Sequence, residues 1–194
     1  NHVPTYYLMG RTYLELNQPG RALSYLIRYG PYISPKPWEF EYALGKAYYL
    51  SDRDLTAALQ YLSSAIDKNG TNQELYLTRG KVHLELGNAQ AALVDAFAGR
   101  NLNRDNFDVN VFLGEMLYRT EQYLTAEVIL RQSEDLAATP AELAAVLYWR
   151  AQARTARDQI QAANEDWQRL IDLPAPAVPQ IWRLRAEENL LPTS

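Results

Sequence analysis

The chain has 194 residues, a formal net charge of −4, no cysteine and two histidines. Disulfides, thiolate nucleophiles and cysteine-bound zinc are therefore excluded, and imidazole chemistry is confined to His2 and His83. With 47% hydrophobic residues the chain is too apolar to be disordered, its mild acidity argues against broad binding to a nucleic-acid backbone, and no apolar run reaches the ~18–20 residues of a membrane span.

In chain order, Tyr6, Met9, Gly10 and Tyr13 share one helical face, which predicts a first helix ending at the turn signal Asn17-Gln18-Pro19-Gly20. A second helix carries Ala22 and Leu26 to Gly30-Pro31, with Pro35 and Pro37 beyond. Tyr42-Ala43-Leu44-Gly45-Lys46-Ala47-Tyr48-Tyr49 restarts the pattern, followed by the turn Ser51-Asp52-Arg53-Asp54 and a partner helix through Ala58, Leu59, Leu62, Ala65 and Ile66 to Asn69-Gly70. Tyr76, Arg79, Gly80 and His83 precede Gly87-Asn88, Ala92 and Ala96, with a break at Asn103 to Asn106. Asn110, Leu113, Gly114 and Leu117 precede Ala126 and Leu130, with a break at Thr139-Pro140. Leu147, Arg150, Ala151 and Arg154 precede Arg157-Asp158, Ala163 and Trp167. Beyond Pro174, Pro176 and Pro179 a last helix is expected over 178–191. Its Ile181, Trp182 and Leu184 are expected to cover the preceding pair, and Arg183, Arg185, Glu187 and Glu188 to face outward. Pro192-Thr193-Ser194 reads as the start of a linker. No segment sustains a period of two, so strands are not expected.

Gly10, Gly45, Gly80 and Gly114 lie 35, 35 and 34 residues apart, and Ala22, Ala58, Ala92, Ala126 and Ala163 lie 36, 34, 34 and 37 apart. Two interleaved series with one period mark an internal repeat. The pattern resembles the tetratricopeptide repeat, W-x2-L-G-x2-Y followed by A-x3-F and a turn. The resemblance covers residues 3 to 176 as five repeats, at 3–35, 38–71, 73–105, 107–140 and 144–176, with a capping helix at 178–191. It departs from the pattern at Arg79 and His83, and again at Arg150, Ala151 and Arg154. It implies an all-α, right-handed superhelical solenoid of antiparallel helix pairs, about eleven helices in a single repeat domain. Each pair alone leaves an apolar face uncovered, so the pairs must stack.

Chemistry is sparse. There is no phosphate-binding glycine loop, no G-x-S-x-G elbow and no H-E-x-x-H. His83 is expected to be a partly buried histidine bonded to a neighbour. Glu134-Asp135, Glu165-Asp166 and Glu187-Glu188 are expected on solvated faces, because adjacent carboxylates on a helix point apart. Neither Asp52 with Asp54 nor Asp105 with Asp108 continues into a calcium loop; the latter two read as helix-capping and first-turn acids. No catalytic residue, metal or cofactor is expected, and the chain does not read as an enzyme.

Tyr6, Tyr13, Tyr48 and Tyr76 fall at repeat-core positions. The resemblance implies that Tyr7, Tyr42, Tyr49, Tyr118 and Tyr148, three residues before or four after the small residue, line a concave groove. One residue after it come Arg11, Lys46, Lys81, Glu115 and Gln152, a basic ladder that changes sign at Glu115. Residues 1–70 carry 7 basic and 6 acidic side chains, residues 71–138 carry 6 and 10, and residues 139–194 carry 6 and 7. The expected partner is a protein segment, an extended peptide or a helix, with an acidic group near the N-terminal repeats. The opposite reading pairs the cations with local carboxylates and packs the tyrosines on adjacent helices. The family's clamp for chaperone tails is absent: its positions hold Tyr7 and Arg11, Ala43, and Glu74 and Thr78, and only Arg11 keeps the charge. The expected function is a non-catalytic protein-interaction scaffold without nucleic-acid or membrane contact. The start at Asn1 also motivates an excised regulatory or assembly domain of a larger enzyme or membrane-anchored protein. An RNA-binding helical repeat is disfavoured by the net charge. Compartment and self-association stay open.

Overall fold

The computed structural model describes residues 3–51 and 54–190, with side chains from residue 5 onward. His2, Asp52, Arg53, Leu191 and Pro192-Thr193-Ser194 lie outside the described residues. Among the described residues there is no strand, and eleven α-helices follow one another. They are α1 (Val3–Glu15), α2 (Pro19–Tyr29), α3 (Trp38–Leu50), α4 (Leu55–Lys68), α5 (Gln73–Glu85), α6 (Ala89–Leu102), α7 (Phe107–Arg119), α8 (Tyr123–Glu134), α9 (Pro140–Ala156), α10 (Ile160–Asp172) and α11 (Gln180–Leu190). Single 3-10 turns at Gly30–Tyr32 and Ala175–Ala177 fill two of the connections.

The helices form two compact units, residues 1–102 and 103–194. In the first, α1 packs on α2, α3 on α4 and α5 on α6, while α2 and α4 each pack on the helix that follows. In the second, α7 packs on α8 and α9 on α10; α8 lies against α9, and α10 against α11.

The repeat glycines explain the pairing. A Cβ added to Gly10 would sit 2.6 Å from Leu26, one on Gly45 would sit 2.8 Å from Leu62, and one on Gly114 would sit 2.5 Å from Leu130. All three leucines are fully buried in the paired helix. The leucine thus occupies the space a side chain would need, and the two backbones come together there. In the last pair Ala151 stands in place of glycine and Trp167 in place of leucine, and both are fully buried.

The turns within pairs repeat as well. Asn17, Gly87, Glu121 and Asp158 have φ of 54°, 77°, 63° and 58°. At each, the next residue's N–H donates five residues back: Gln18 to Tyr13 O (2.8 Å), Asn88 to His83 O (2.9 Å), Gln122 to Leu117 O (2.8 Å) and Gln159 to Arg154 O (2.9 Å). This is the left-handed helix stop that glycine fits without strain and a bulkier residue such as Glu121 enters at a cost of about 1 kcal/mol. Helix starts are capped by Asp54, Asn72, Asn106 and Thr139, the last in a reciprocal box with Glu142. Asn106, not Asp105, is therefore the α7 cap; Asp108 is the expected first-turn acid.

The two arginines that break the apolar pattern are matched by acids 16 residues on. Arg79 grips Asp95 through Nε (2.9 Å) and Nη2 (2.6 Å), and its Nη1 donates to Ser63 Oγ on α4 (3.2 Å). Arg150 grips Asp166 in the same way (2.9 and 2.7 Å), and its Nη1 donates to Glu134 Oε2 on α8 (2.5 Å). Arg154 also reaches Asp166 (2.8 Å), and Arg169 reaches Glu134 (2.5 Å). Asp166 is 1% exposed, so it is not on a solvated face, and Glu134 is half-buried. Burial opposes the Arg150 charge, but the bonds to Asp166 and Glu134 outweigh it and hold the guanidinium firmly protonated. Burial alone would raise the Glu134 carboxyl, yet the bonds from Arg169 and Arg150 hold it below its ordinary value.

The last helix differs from expectation. Trp182 does cover the preceding pair, stacked 4.6 Å from Tyr148, but Ile181 is 69% and Leu184 46% exposed. Val178 and Ala186 make the buried contact instead. Arg183 does not face outward; it donates to the carbonyls of Ile171 (2.8 Å) and Leu173 (2.9 Å), where α10 ends.

Gly114→Ala is expected to lower stability in urea unfolding by about 1–3 kcal/mol, because the new methyl and Leu130 claim one volume. Arg150→Met is expected to cost about 3 kcal/mol or more, since it strips a partner from buried Asp166. The folded-state value of Glu134 lies below its unfolded one, so its contribution is present above the ordinary value of 4.5 and lost as pH falls below it. Glu134→Gln should therefore flatten the acid limb of stability against pH.

Candidate functional site

On a helix, residues three before and one, four and five after the repeat glycine share a side. On α1 this side carries Tyr7, Arg11, Leu14 and Glu15. On α3 it carries Tyr42, Lys46 and Tyr49, with Glu39 one turn earlier. On α5 it carries Lys81 and Glu85, with Glu74 one turn before. Tyr7, Arg11 and Glu15 of α1 converge with Trp38, Glu39, Tyr42 and Lys46 of α3 around a cavity of about 290 Å³, which Asn72 at the start of α5 also lines.

Four of the expected site residues thus meet at one cavity. Tyr7 leans into the core, stacked 5.6 Å from Tyr29 and tilted against Phe40 at 6.1 Å, with the Arg11 guanidinium 5.8 Å over its ring. Burial, then nearby Glu39, pushes the Tyr7 phenol up; Arg11 acts the other way. Tyr42 donates to Glu74 Oε1 (2.9 Å) and accepts from Lys46 Nζ (3.2 Å), while Lys46 lies 3.6 Å from the same carboxylate. Burial first, and Glu74 second, push the Tyr42 phenol well above its ordinary value, so it remains a donor. Tyr49 donates to Glu85 Oε1 (3.1 Å). Lys81 is exposed on α5.

The cations of the row differ in their surroundings. Lys46 is taken by Glu74, as the local-pairing reading expects, while Arg11 and Lys81 have no carboxylate partner among the described residues. Glu15, Glu39, Glu74 and Glu85 flank the row, and neither they nor Trp38 stand out in the sequence pattern as site residues. Their signal is positional: Glu39 and Glu74 each stand six residues before a repeat glycine, and Glu15 and Glu85 five after one. Four carboxylates against three cations leave this face without a net basic character.

The remaining expected residues belong to the second unit. Glu115 accepts from Arg119 (2.8 Å), one turn on in α7. Tyr148 sits among Trp149, Trp167 and Trp182, with ring centroids at 5.1, 5.7 and 4.6 Å, and its hydroxyl accepts from Gln152 (3.1 Å). Packing accounts for Tyr148. Tyr118 lies 5.7 Å from Tyr123 and 5.6 Å from Trp149, and its phenol is pushed up mainly by burial. Trp149, which also carries Arg119 at 5.4 Å, does not stand out in the sequence pattern either.

His83 is half-buried, with Nε2 4.0 Å from Asp95 and Nδ1 without a partner among the described residues. Burial lowers its pKa, so it is neutral at neutral pH. Among the described residues no three His, Asp or Glu side chains are gathered as a metal site, and no helix is long and apolar enough to cross a membrane.

Neither a protein-family model nor a curated protein matches this sequence. Solved structures do. The crystal structure of YrrB, described as a tetratricopeptide-repeat protein with an unusual peptide-binding site, superposes with a TM-score of 0.76 at 18% identity, covering 94% of this chain and 90% of YrrB. The fold is that of the tetratricopeptide-repeat proteins. MamA from Desulfovibrio magneticus, from residue 41 to its end, matches with a TM-score of 0.77 at 18% identity over 89% of this chain and 95% of that one. TTC0263, a tetratricopeptide-repeat protein of Thermus thermophilus, matches with a TM-score of 0.68 at 17% identity over 97% of this chain and 99% of that one. At these identities the likeness is one of fold, and the chain is an all-α tetratricopeptide-repeat-like solenoid of helix pairs.

Tyr42→Phe removes a donor from Glu74 and an acceptor from Lys46, and is expected to cost about 1 kcal/mol in urea unfolding. The Tyr42 folded-state value lies above its unfolded one, so this stabilisation is present below an ordinary tyrosine's 10.0 and lost as pH rises above it. The variant should lose part of that alkaline slope.

Proposed function

We propose that the chain is a non-catalytic scaffold that holds an extended peptide segment of a partner protein against the α1–α3–α5 face of residues 1–102. The observation that carries this reading is the convergence of Tyr7, Arg11, Tyr42 and Lys46, with Trp38, on one cavity of about 290 Å³. That volume suits one large side chain or a short stretch of extended chain. Aromatic rings there supply contact area at little entropic cost, and the charged groups beside them supply direction. The tetratricopeptide-repeat fold supports the reading by analogy, since YrrB is described as having a peptide-binding site. Lys81 and Tyr49 extend the face along the first unit. Lys46 is already engaged by Glu74, so Arg11 and Lys81 are the cations of this face without a carboxylate partner among the described residues.

Peptides selected from a displayed random library against the full chain, then measured by calorimetry, test the reading. Trp38→Ala and Arg11→Ala are each expected to weaken them about tenfold, the effect of removing one good contact. Arg28→Ala, at an exposed position of α2, should leave them unchanged. Equal affinity for wild type and Trp38→Ala would sink the assignment of the face.

A further inference from the structure

The cavity holds an incomplete copy of an arrangement that its neighbour completes. On α3 and α5, Tyr42, Lys46 and Glu74 stand at offsets of 4 and 32 residues from the tyrosine. On α1 and α3, Tyr7, Arg11 and Glu39 stand at the same offsets. In the first set the tyrosine hydroxyl bridges the charges, donating to Glu74 and accepting from Lys46. In the second, Tyr7 stacks on Tyr29 and packs tilted against Phe40, with Arg11 beside it. Among the described residues no hydrogen bond joins Tyr7 to Glu39 and no ion pair joins Arg11 to Glu39. Both charges line the cavity.

We infer that the cavity selects a neutral group that donates and accepts hydrogen bonds at once, an amide or a hydroxyl of the bound peptide, over an acidic or a basic side chain. This rests on the peptide-binding reading above. A carboxylate entering here gains Arg11 but faces Glu39, and an ammonium gains Glu39 but faces Arg11; each carries one repulsion. A neutral donor–acceptor accepts from Arg11 and donates to Glu39, as the Tyr42 hydroxyl does between Lys46 and Glu74. Bonds to charged partners are the stronger kind, and two at once fix the peptide's register. An extended chain offers such an amide at every residue, and Asn, Gln, Ser or Thr offers one on a side chain.

The test uses the library-selected peptides with the full chain and its Arg11→Met and Glu39→Gln variants. The expected result is that each variant weakens the same peptides by about tenfold, that affinity changes little with salt, and that no acidic or basic residue is shared among them. Replacing shared Asn, Gln, Ser or Thr by Ala, or N-methylating single peptide bonds, then distinguishes a side-chain from a main-chain source. Two results overturn the inference while leaving the face assignment intact. One is a shared Asp or Glu whose peptides are weakened by Arg11→Met but not by Glu39→Gln. The other is a shared Lys or Arg weakened by Glu39→Gln alone. Peptides insensitive to Trp38→Ala would instead overturn the face assignment, and this inference with it.

Discussion

Everything else in the molecule depends on one contact: a helix surface with no side chain, pressed against a leucine of the helix that pairs with it. Gly10 with Leu26, Gly45 with Leu62 and Gly114 with Leu130 leave too little room for even one methyl group. Close-packed interiors transmit such a constraint, because neither the leucine nor the backbone has free volume to move into. Fixing that contact fixes which side of α1, α3 and α7 is buried. The side left over is then the one that carries Tyr7, Arg11, Tyr42 and Lys46. The candidate site is therefore a consequence of the pairing contact and not an independent feature.

The departures from the repeat pattern are coherent substitutions. An arginine at an apolar junction of three helices is tolerable only if its charge and its donors are met. Arg79 and Arg150 are met in the same two directions, by an aspartate 16 residues later and an acceptor 16 residues earlier. The earlier acceptor is neutral Ser63 in one case and Glu134 in the other, so the second junction is the more highly charged. Glu41, buried with Ser64 and Lys68 bonded to it at 2.7 Å each, follows the same rule on α3.

The helices, their order and the pairing contact are legible in the sequence, because small residues recur at fixed spacing and periodicity reports which face is buried. The acids that matter are harder to see. Asp95 and Asp166 look like surface residues until their arginines are placed 16 residues away, across a helix pair. Glu39 and Glu74 sit a turn away from the positions that attract attention, and become relevant only when the neighbouring helix lays Arg11 and Lys46 beside them. The exposure of Ile181 and Leu184 is likewise hidden, since Ala186 and Val178 make the buried contact and the larger residues point away. In each case the missing information is which helices lie side by side, which a one-dimensional pattern does not contain.

Taken together, the first unit offers a face whose shape comes from helix pairing and whose chemistry comes from cations, carboxylates and tyrosines side by side. The most direct test is a map of backbone amide chemical shifts, recorded by NMR on the full chain before and after addition of a library-selected peptide. The structure predicts shifts clustered at Tyr7 to Glu15 and Trp38 to Tyr49, with α2 and α4 little changed. Shifts clustered on α2 and α4 instead would contradict it.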